Sequence, residues 1–261
     1  MKQERISFII ENYMSSESFG VISEMDIPLL ANELGVTETT VKKDLKELNC
    51  VIYKRKPPKI KDLEVYQPIL KGLRLKIERR MPKYVQRKSV RTLIGETLWK
   101  KVRNILLTRN NNSCSTCGFT SDELAKLHVH EEWEFDEDST LIKLTGLSLL
   151  CHMCHSMHHT DNTYFRTAKE GKWEEVKEKL DIHFMKVNEC NQEILVASKR
   201  LASKEQILDK MPNAKTVDSL KEFFDKQKQL QNAKWSYSIF NEMPLREDVI
   251  SALKKKVSVV E

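Results

Sequence analysis

Cys114-Ser115-Thr116-Cys117-Gly118 and, 33 residues further on, Cys151-His152-Met153-Cys154 are two C-x-x-C pairs. Each pair lets two thiolates grip one metal ion from a single turn. Two such turns make a closed four-thiolate site, the arrangement preferred by structural Zn2+. Metal binding at such sites contributes about 10–16 kcal/mol of apparent free energy in small peptides, which is folding energy for a small domain. Free cysteines or a redox pair fit less well, because two pairs are present and neither precedes a βαβ unit. The other cysteines, Cys50 and Cys190, stand alone and read as packing residues.

Between the pairs lies Leu127-His128-Val129-His130-Glu131-Glu132-Trp133-Glu134-Phe135. As a strand it puts Leu127, Val129, Trp133 and Phe135 on one face, with Glu131 the polar exception. His128, His130, Glu132 and Glu134 share the other face. An acidic turn, Asp136-Glu137-Asp138, leads to a second strand over residues 141–150. Six of the seven histidines fall between His128 and His159. His155 and His159 are four apart on an expected helix and point the same way. Two imidazoles from that helix and one from the strand could hold a second ion with open positions for water and phosphate, which a structural site lacks. In the plainer reading these histidines are surface groups around the zinc.

Outside this region the N-terminus is the most patterned. Ile6, Ile9, Ile10 and Tyr13 recur at helical spacing. Asp26 suits an N-cap and Pro28 a first turn; Leu30, Ala31 and Leu34 follow on one face, and Gly35 suits a left-handed stop. Thr37 then caps a second helix whose Val41, Leu45 and Leu48 face inward. Thr39, Thr40, Lys42, Lys43 and Lys46 are left outward, polar and cationic, suited to base edges and phosphates. The run Leu30-Ala31-Asn32-Glu33-Leu34-Gly35-Val36-Thr37-Glu38-Thr39-Thr40-Val41-Lys42-Lys43-Asp44-Leu45 resembles the helix-turn-helix of DeoR-type bacterial regulators over roughly the first fifty residues. The resemblance implies a winged-helix-like domain, with Val51-Ile52-Tyr53 as a wing strand and Lys54-Arg55-Lys56 as its basic tip.

Charge is unevenly spread. Residues 54–91 hold fourteen Lys/Arg and three acids, whereas residues 118–160 hold eight acids and two lysines. A basic stretch beside an acidic one suggests a segment facing nucleic acid, with a solvated basic helix as the alternative. Within it, Leu70, Leu73, Ile77 and Met81 predict one amphipathic helix ringed by Lys71, Arg74, Lys76, Arg79 and Arg80.

The central region resembles the HNH nuclease family in its zinc-knuckle variant, over residues 95–165. The matching words are Trp99-x-x-Val102-Arg103 with Leu106, Leu107 and Arg109, then Cys114-x-x-Cys117-Gly118, Val129-His130-Glu131, and Leu150-Cys151-x-x-Cys154-His155 with a later histidine. The resemblance implies a ββα-metal fold that cuts phosphodiesters with a divalent ion, Mg2+ or Mn2+. It makes His130 the strand ligand, His155 the first helix ligand and His159 (or His158) the second. Glu131 stands where the family has its general-base histidine, and Gly146 where it has its asparagine. A carboxylate is a weaker base than imidazole unless burial raises its pKa, and His128 is the substitute base on the same strand face as His130.

The last third carries apolar stripes: Trp173, Val176, Leu180, Phe184 and Val187; Val217, Leu220, Phe224 and Leu230; Leu245, Val249 and Leu253. All read as core, and His183 as a packing residue. With 261 residues, 40% hydrophobic and 31% charged, the chain is long enough for two domains. No apolar run approaches the ~18 residues of a membrane span, and no apolar signal region follows Met1, so the cytoplasm is expected. The expected fold is mainly α with a small α+β zinc domain. It divides into a helix-turn-helix domain over 1–56, a basic connector over 57–92, the zinc domain over 93–165 and a helical region over 166–261. Two functions follow: a metal-dependent endonuclease or nickase acting on double-stranded DNA, or a non-catalytic DNA-binding regulator braced by zinc. Paired half-sites would suit a homodimer. An RNA reader is disfavoured for lack of an aromatic stacking pattern.

Overall fold

The recurrence of Ile6, Ile9, Ile10 and Tyr13 becomes one face of α1 (Lys2–Tyr13), with Ile9 fully buried, in a computed structural model. The structure describes residues 2–16, 19–78, 82–86, 88–208 and 216–260, about 55% helix and 16% strand, an α+β fold. Strands β1 (Met14–Ser16) and β2 (Phe19–Ser23) pair antiparallel. Next come α2 (Ile27–Glu33), α3 (Glu38–Glu47), β3 (Val51–Tyr53), α4 (Gln67–Lys71), α5 (Val90–Ile94) and α6 (Glu96–Arg109). The long hairpin of β4 (Leu127–Asp136) and β5 (Leu141–Cys151) runs directly into α7 (His152–His158). Helices α8 (Thr160–Ala168), α9 (Trp173–Asn188), α10 (Gln192–Leu208) and α11 (Val217–Asn232) lead to β6 (Ser236–Ile239), α12 (Arg246–Lys254) and β7 (Ser258–Val259).

The chain divides into two units, each made from two stretches. The first joins Met1–Glu78 to Ser156–Ser203, and the second joins Arg79–His155 to Lys204–Glu261. Of the four segments expected from sequence, 1–56 falls whole within the first unit. The connector is divided at Glu78, the zinc segment at His155 and the C-terminal region at Ser203.

In the first unit, α2 and α3 are the two short helices that the sequence placed on either side of Gly35. Gly35 turns between them at φ +63°, a left-handed conformation that glycine adopts without strain. The Thr37 hydroxyl accepts the Thr40 N–H at 3.2 Å and caps α3. Asp26 occupies the cap position of α2 but makes no side-chain cap bond. Ile9, Ile22, Ile27, Leu30, Val41 and Leu45 fill the core beneath, each worth roughly 1.5–3 kcal/mol of burial. Arg5 ties α1 to α3 through buried Asp44 at 2.8 Å.

Two expectations change here. β3 is a strand, but it pairs in parallel with β2 (Val21 opposite Val51), and no strand among the described residues returns after it to form a wing hairpin. Its tip is held by helices instead. The Gln192 amide bonds both the N–H and the C=O of Lys54, and the Arg55 guanidinium pairs with Glu178 at 3.2 Å. The helix expected over Leu70 to Met81 is only α4. It stops at Gly72, and Leu75 turns into the core with its backbone N–H and C=O both held by the Asn188 amide. Arg79, Arg80 and Met81 lie outside the described residues.

Glu178, Asp181, Asn188, Gln192 and Arg200 of α9 and α10 all reach back to the N-terminal stretch. The Tyr53 hydroxyl donates to buried Asp181 at 3.0 Å, and the Lys199 ammonium pairs with the other oxygen of Asp181 at 2.5 Å. Burial pushes the Tyr53 hydroxyl far above its ordinary pKa and pulls the Lys199 amine down.

The second unit is built on a four-stranded sheet, β4-β5-β6-β7, in which β6 and β7 add in parallel. Trp99, Val102 and Leu106 of α6 and Val249, Ile250 and Leu253 of α12 share its core with Ile142, Leu144 and Tyr237. The stripe expected to bury α11 does not. Only Leu230 is buried, and Val217, Leu220 and Phe224 face solvent among the described residues. No helix of the described residues is long and apolar enough to cross a membrane.

Candidate metal centres

The turn after α6 places the first cysteine pair. Asn111 and Asn112 take positive φ, and the Cys114 N–H and Phe119 C=O bond at 2.8 Å. Gly118, at φ +76°, donates its N–H to the Cys114 carbonyl at 2.9 Å and closes the knuckle. Ser115 fastens this loop to β5, its N–H and hydroxyl both reaching the Leu149 carbonyl at 2.8 Å. Two residues later β5 ends at Cys151, and Cys154 follows in the first turn of α7. The Cys154 N–H points at the Cys151 sulfur at 3.4 Å.

All four sulfurs lie within 4.8 Å of one another, and Sγ of Cys117 is 3.6 Å from that of Cys151. A tetrahedral zinc with Zn–S bonds of about 2.3 Å sets sulfurs roughly 3.8 Å apart, so the donor set fits structural zinc. The thiols alone are frustrated. The hydrogen bond from Cys117 holds Cys114 down at about 6, while the bond with Cys114 drives both Cys117 and Cys154 far above the ordinary thiol range. A doubly charged cation lets all four ionise together.

The histidines collect on the neighbouring faces of β4 and α7. His130 is buried, opposite Ser148 in the β-ladder. Its ring meets that of His155 nearly at right angles, centroids 5.9 Å apart, with a nitrogen of each within 4.8 Å of the other. His128 stacks on His155 at 5.0 Å and lies 5.9 Å from exposed His152. His130, His155 and His128 are therefore together. His159 is the turn residue before α8 and belongs to the first unit, as does His158, whose Nδ1 lies 2.9 Å from Glu78.

No family model, curated protein or solved structure matches the chain.

Glu131 is a correction. The family resemblance puts it at the general-base position, with His128 as the substitute, but it points to the opposite face of β4 from His130. There its carboxylate accepts the Arg91 N–H at 2.9 Å at the start of α5. Burial raises its pKa from 4.5 to about 7. A carboxyl whose folded pKa is raised contributes stability below its unfolded pKa and loses it as pH climbs through the folded one. Unfolding free energy should fall between pH 4.5 and about 7. Glu131→Gln, which keeps the acceptor, should flatten that slope and gain about 1–2 kcal/mol above neutrality. Urea unfolding of both proteins on either side of the transition checks this, and equal slopes would refute it.

The acid that does share the His130 face is Glu132, which the sequence placed there without a role. It accepts the Ser148 hydroxyl and lies over Gly146, where an added Cβ would come within 2.7 Å of its Oε2. Gly146 therefore serves as the gap for Glu132 rather than as a side-chain donor.

In the first unit, Thr39, Lys42, Lys43 and Lys46 are exposed on α3. Thr40 is half-buried, its hydroxyl 3.0 Å from that of Thr37, and Lys42 pairs with Glu38 at 3.1 Å. Lys54, Arg55 and Lys56 are exposed, with Arg55 engaged by Glu178.

Proposed function

We propose that this chain is a metal-dependent endonuclease of HNH type acting on double-stranded DNA. The observation that carries the reading is the approach of His130 on β4 to His155 on α7, the helix that also holds Cys154. A four-thiolate zinc site needs no imidazole, so these two require another purpose. His130 and His155 are the donors for a divalent ion, Mg2+ or Mn2+. His159, four residues past His155, is the third donor by its spacing along the chain. Such an ion would supply an activated water and charge neutralisation at the phosphate. His128, on the same side of β4 as His130, is placed to take the proton of that water. The zinc site would fix the β5–α7 junction and with it the direction of His155. Thr39, Thr40, Lys42, Lys43 and Lys46 of α3 would read a duplex, as a monomer or as a homodimer on paired half-sites.

The second reading, a DNA-binding regulator with zinc as a brace, is favoured by one observation: Glu131 faces away from His130. Supercoiled plasmid with Mn2+ separates the two. Nicking or linearisation by wild type, reduced at least about a hundredfold by His155→Ala, supports the nuclease. Tight duplex binding and one zinc per chain without cleavage, together with no Mn2+ binding by electron paramagnetic resonance, supports the regulator.

A further inference from the structure

The first unit assembles an aromatic cluster that the sequence does not show as one. Tyr164 and Phe165 are adjacent on α8, and Trp173 opens α9 after the turn at Gly171. The Tyr164 and Trp173 rings meet edge to face, centroids 5.1 Å apart at 86°, and those of Tyr164 and Phe165 at 5.4 Å and 65°. An edge-to-face contact covers one face of one ring only, so flat surface is left over. Tyr164 and Phe165 are 43% and 55% exposed. Two aromatic rings side by side in water are a loss that packing within α8 and α9 does not recover.

The charges around them are sorted. Glu170, Glu174 and Glu175 are each neutralised by a lysine, Lys172, Lys177 and Lys179 respectively, within 3.5 Å. Arg166 and Lys169 have no such partner among the described residues. Aromatic faces with uncompensated cations beside them match a strand of unpaired nucleotides, whose bases stack and whose phosphates are anionic. A duplex offers no free base face. An apolar protein surface would leave the two cations unanswered.

We propose that Tyr164, Phe165 and Trp173, with Arg166 and Lys169, form a binding site for single-stranded nucleic acid. It is distinct from the duplex-reading face of α3, and it does not depend on cleavage. The test is fluorescence anisotropy on the zinc-loaded protein with no added Mg2+ or Mn2+, using labelled oligothymidylate and oligouridylate of about 12 nucleotides, and a duplex of equal length. Wild type is expected to bind the single strands. Tyr164→Ala and Phe165→Ala should each weaken that binding roughly fivefold to a hundredfold, as loss of one base stack does. Tyr164→Trp should restore it. Arg166→Gln and Lys169→Gln should each lower the log–log salt slope by about 0.7. Duplex binding should survive these changes and fall with Lys43→Ala, and His155→Ala should bind single strands as wild type does. A difference between the thymidylate and uridylate arms would tell DNA from RNA. The proposal is overturned if wild type does not hold the single strands, or if the two alanine variants hold them as tightly as wild type.

Discussion

Cys154→Ser is expected to leave the chain without bound zinc and with its second unit unfolded at room temperature. Cys154 is fully buried, supplies one of four sulfurs within 4.8 Å, and opens the helix that carries His155. Losing one thiolate from a closed site removes most of an apparent binding energy of about 10–16 kcal/mol. A domain's whole stability is typically about 5–15 kcal/mol. Metal analysis should find one zinc per wild-type chain and none in the variant, and circular dichroism should show lost structure. Cys190→Ser, at a buried cysteine that joins no metal-binding group among the described residues, keeps the zinc. A Cys154→Ser protein with the melting temperature of wild type would remove zinc from the account of this fold.

Asp181→Ala is expected to cost the first unit about 2–3 kcal/mol, because it strands the half-buried Lys199 ammonium and leaves the Tyr53 hydroxyl without its acceptor. The same loss loosens β3, the strand that follows α3, and under the DNA-binding role proposed above duplex affinity should fall with stability. A double variant, Asp181→Leu with Lys199→Met, should recover most of the stability, since replacing both charges with packed apolar groups is often neutral. Denaturant unfolding reads both. A single variant within about 0.5 kcal/mol of wild type would mean that the pair is not desolvated as drawn.

The parts legible in the sequence depend on near neighbours. Thr37, Gly35 and the Val41–Leu45 spacing specify the α2–α3 turn within a dozen residues, and C-x-x-C specifies a knuckle within four. The parts that were not legible depend on distant ones. Ser236–Ile239 alternates too briefly to announce β6, and its partner β5 lies some 95 positions earlier in the pairing. Asp181 and Lys199 look like ordinary surface charges until α9 and α10 close over Tyr53. At Glu131 two signals conflicted. Strand alternation put it on the apolar face, while the family likeness put it at the catalytic position, and the alternation described the side chain correctly. The α11 stripe has the period of a core helix, but among the described residues only its last member, Leu230, is covered. The helix expected over 70–81 ends at Gly72 because Asn188, more than a hundred residues later, takes the backbone of Leu75.

The chain's order of appearance during synthesis gives this arrangement a timetable. The Tyr53 hydroxyl needs Asp181, 128 residues downstream. At about 5–20 residues per second, the ribosome takes roughly 6–26 s to deliver it. Cys114 through Cys154 emerge within that interval. The metal knuckles can therefore close while α2, α3 and β3 still await α9 and α10. In a cell short of zinc the knuckles would stay open, while α9 and α10 would still arrive to complete the first unit.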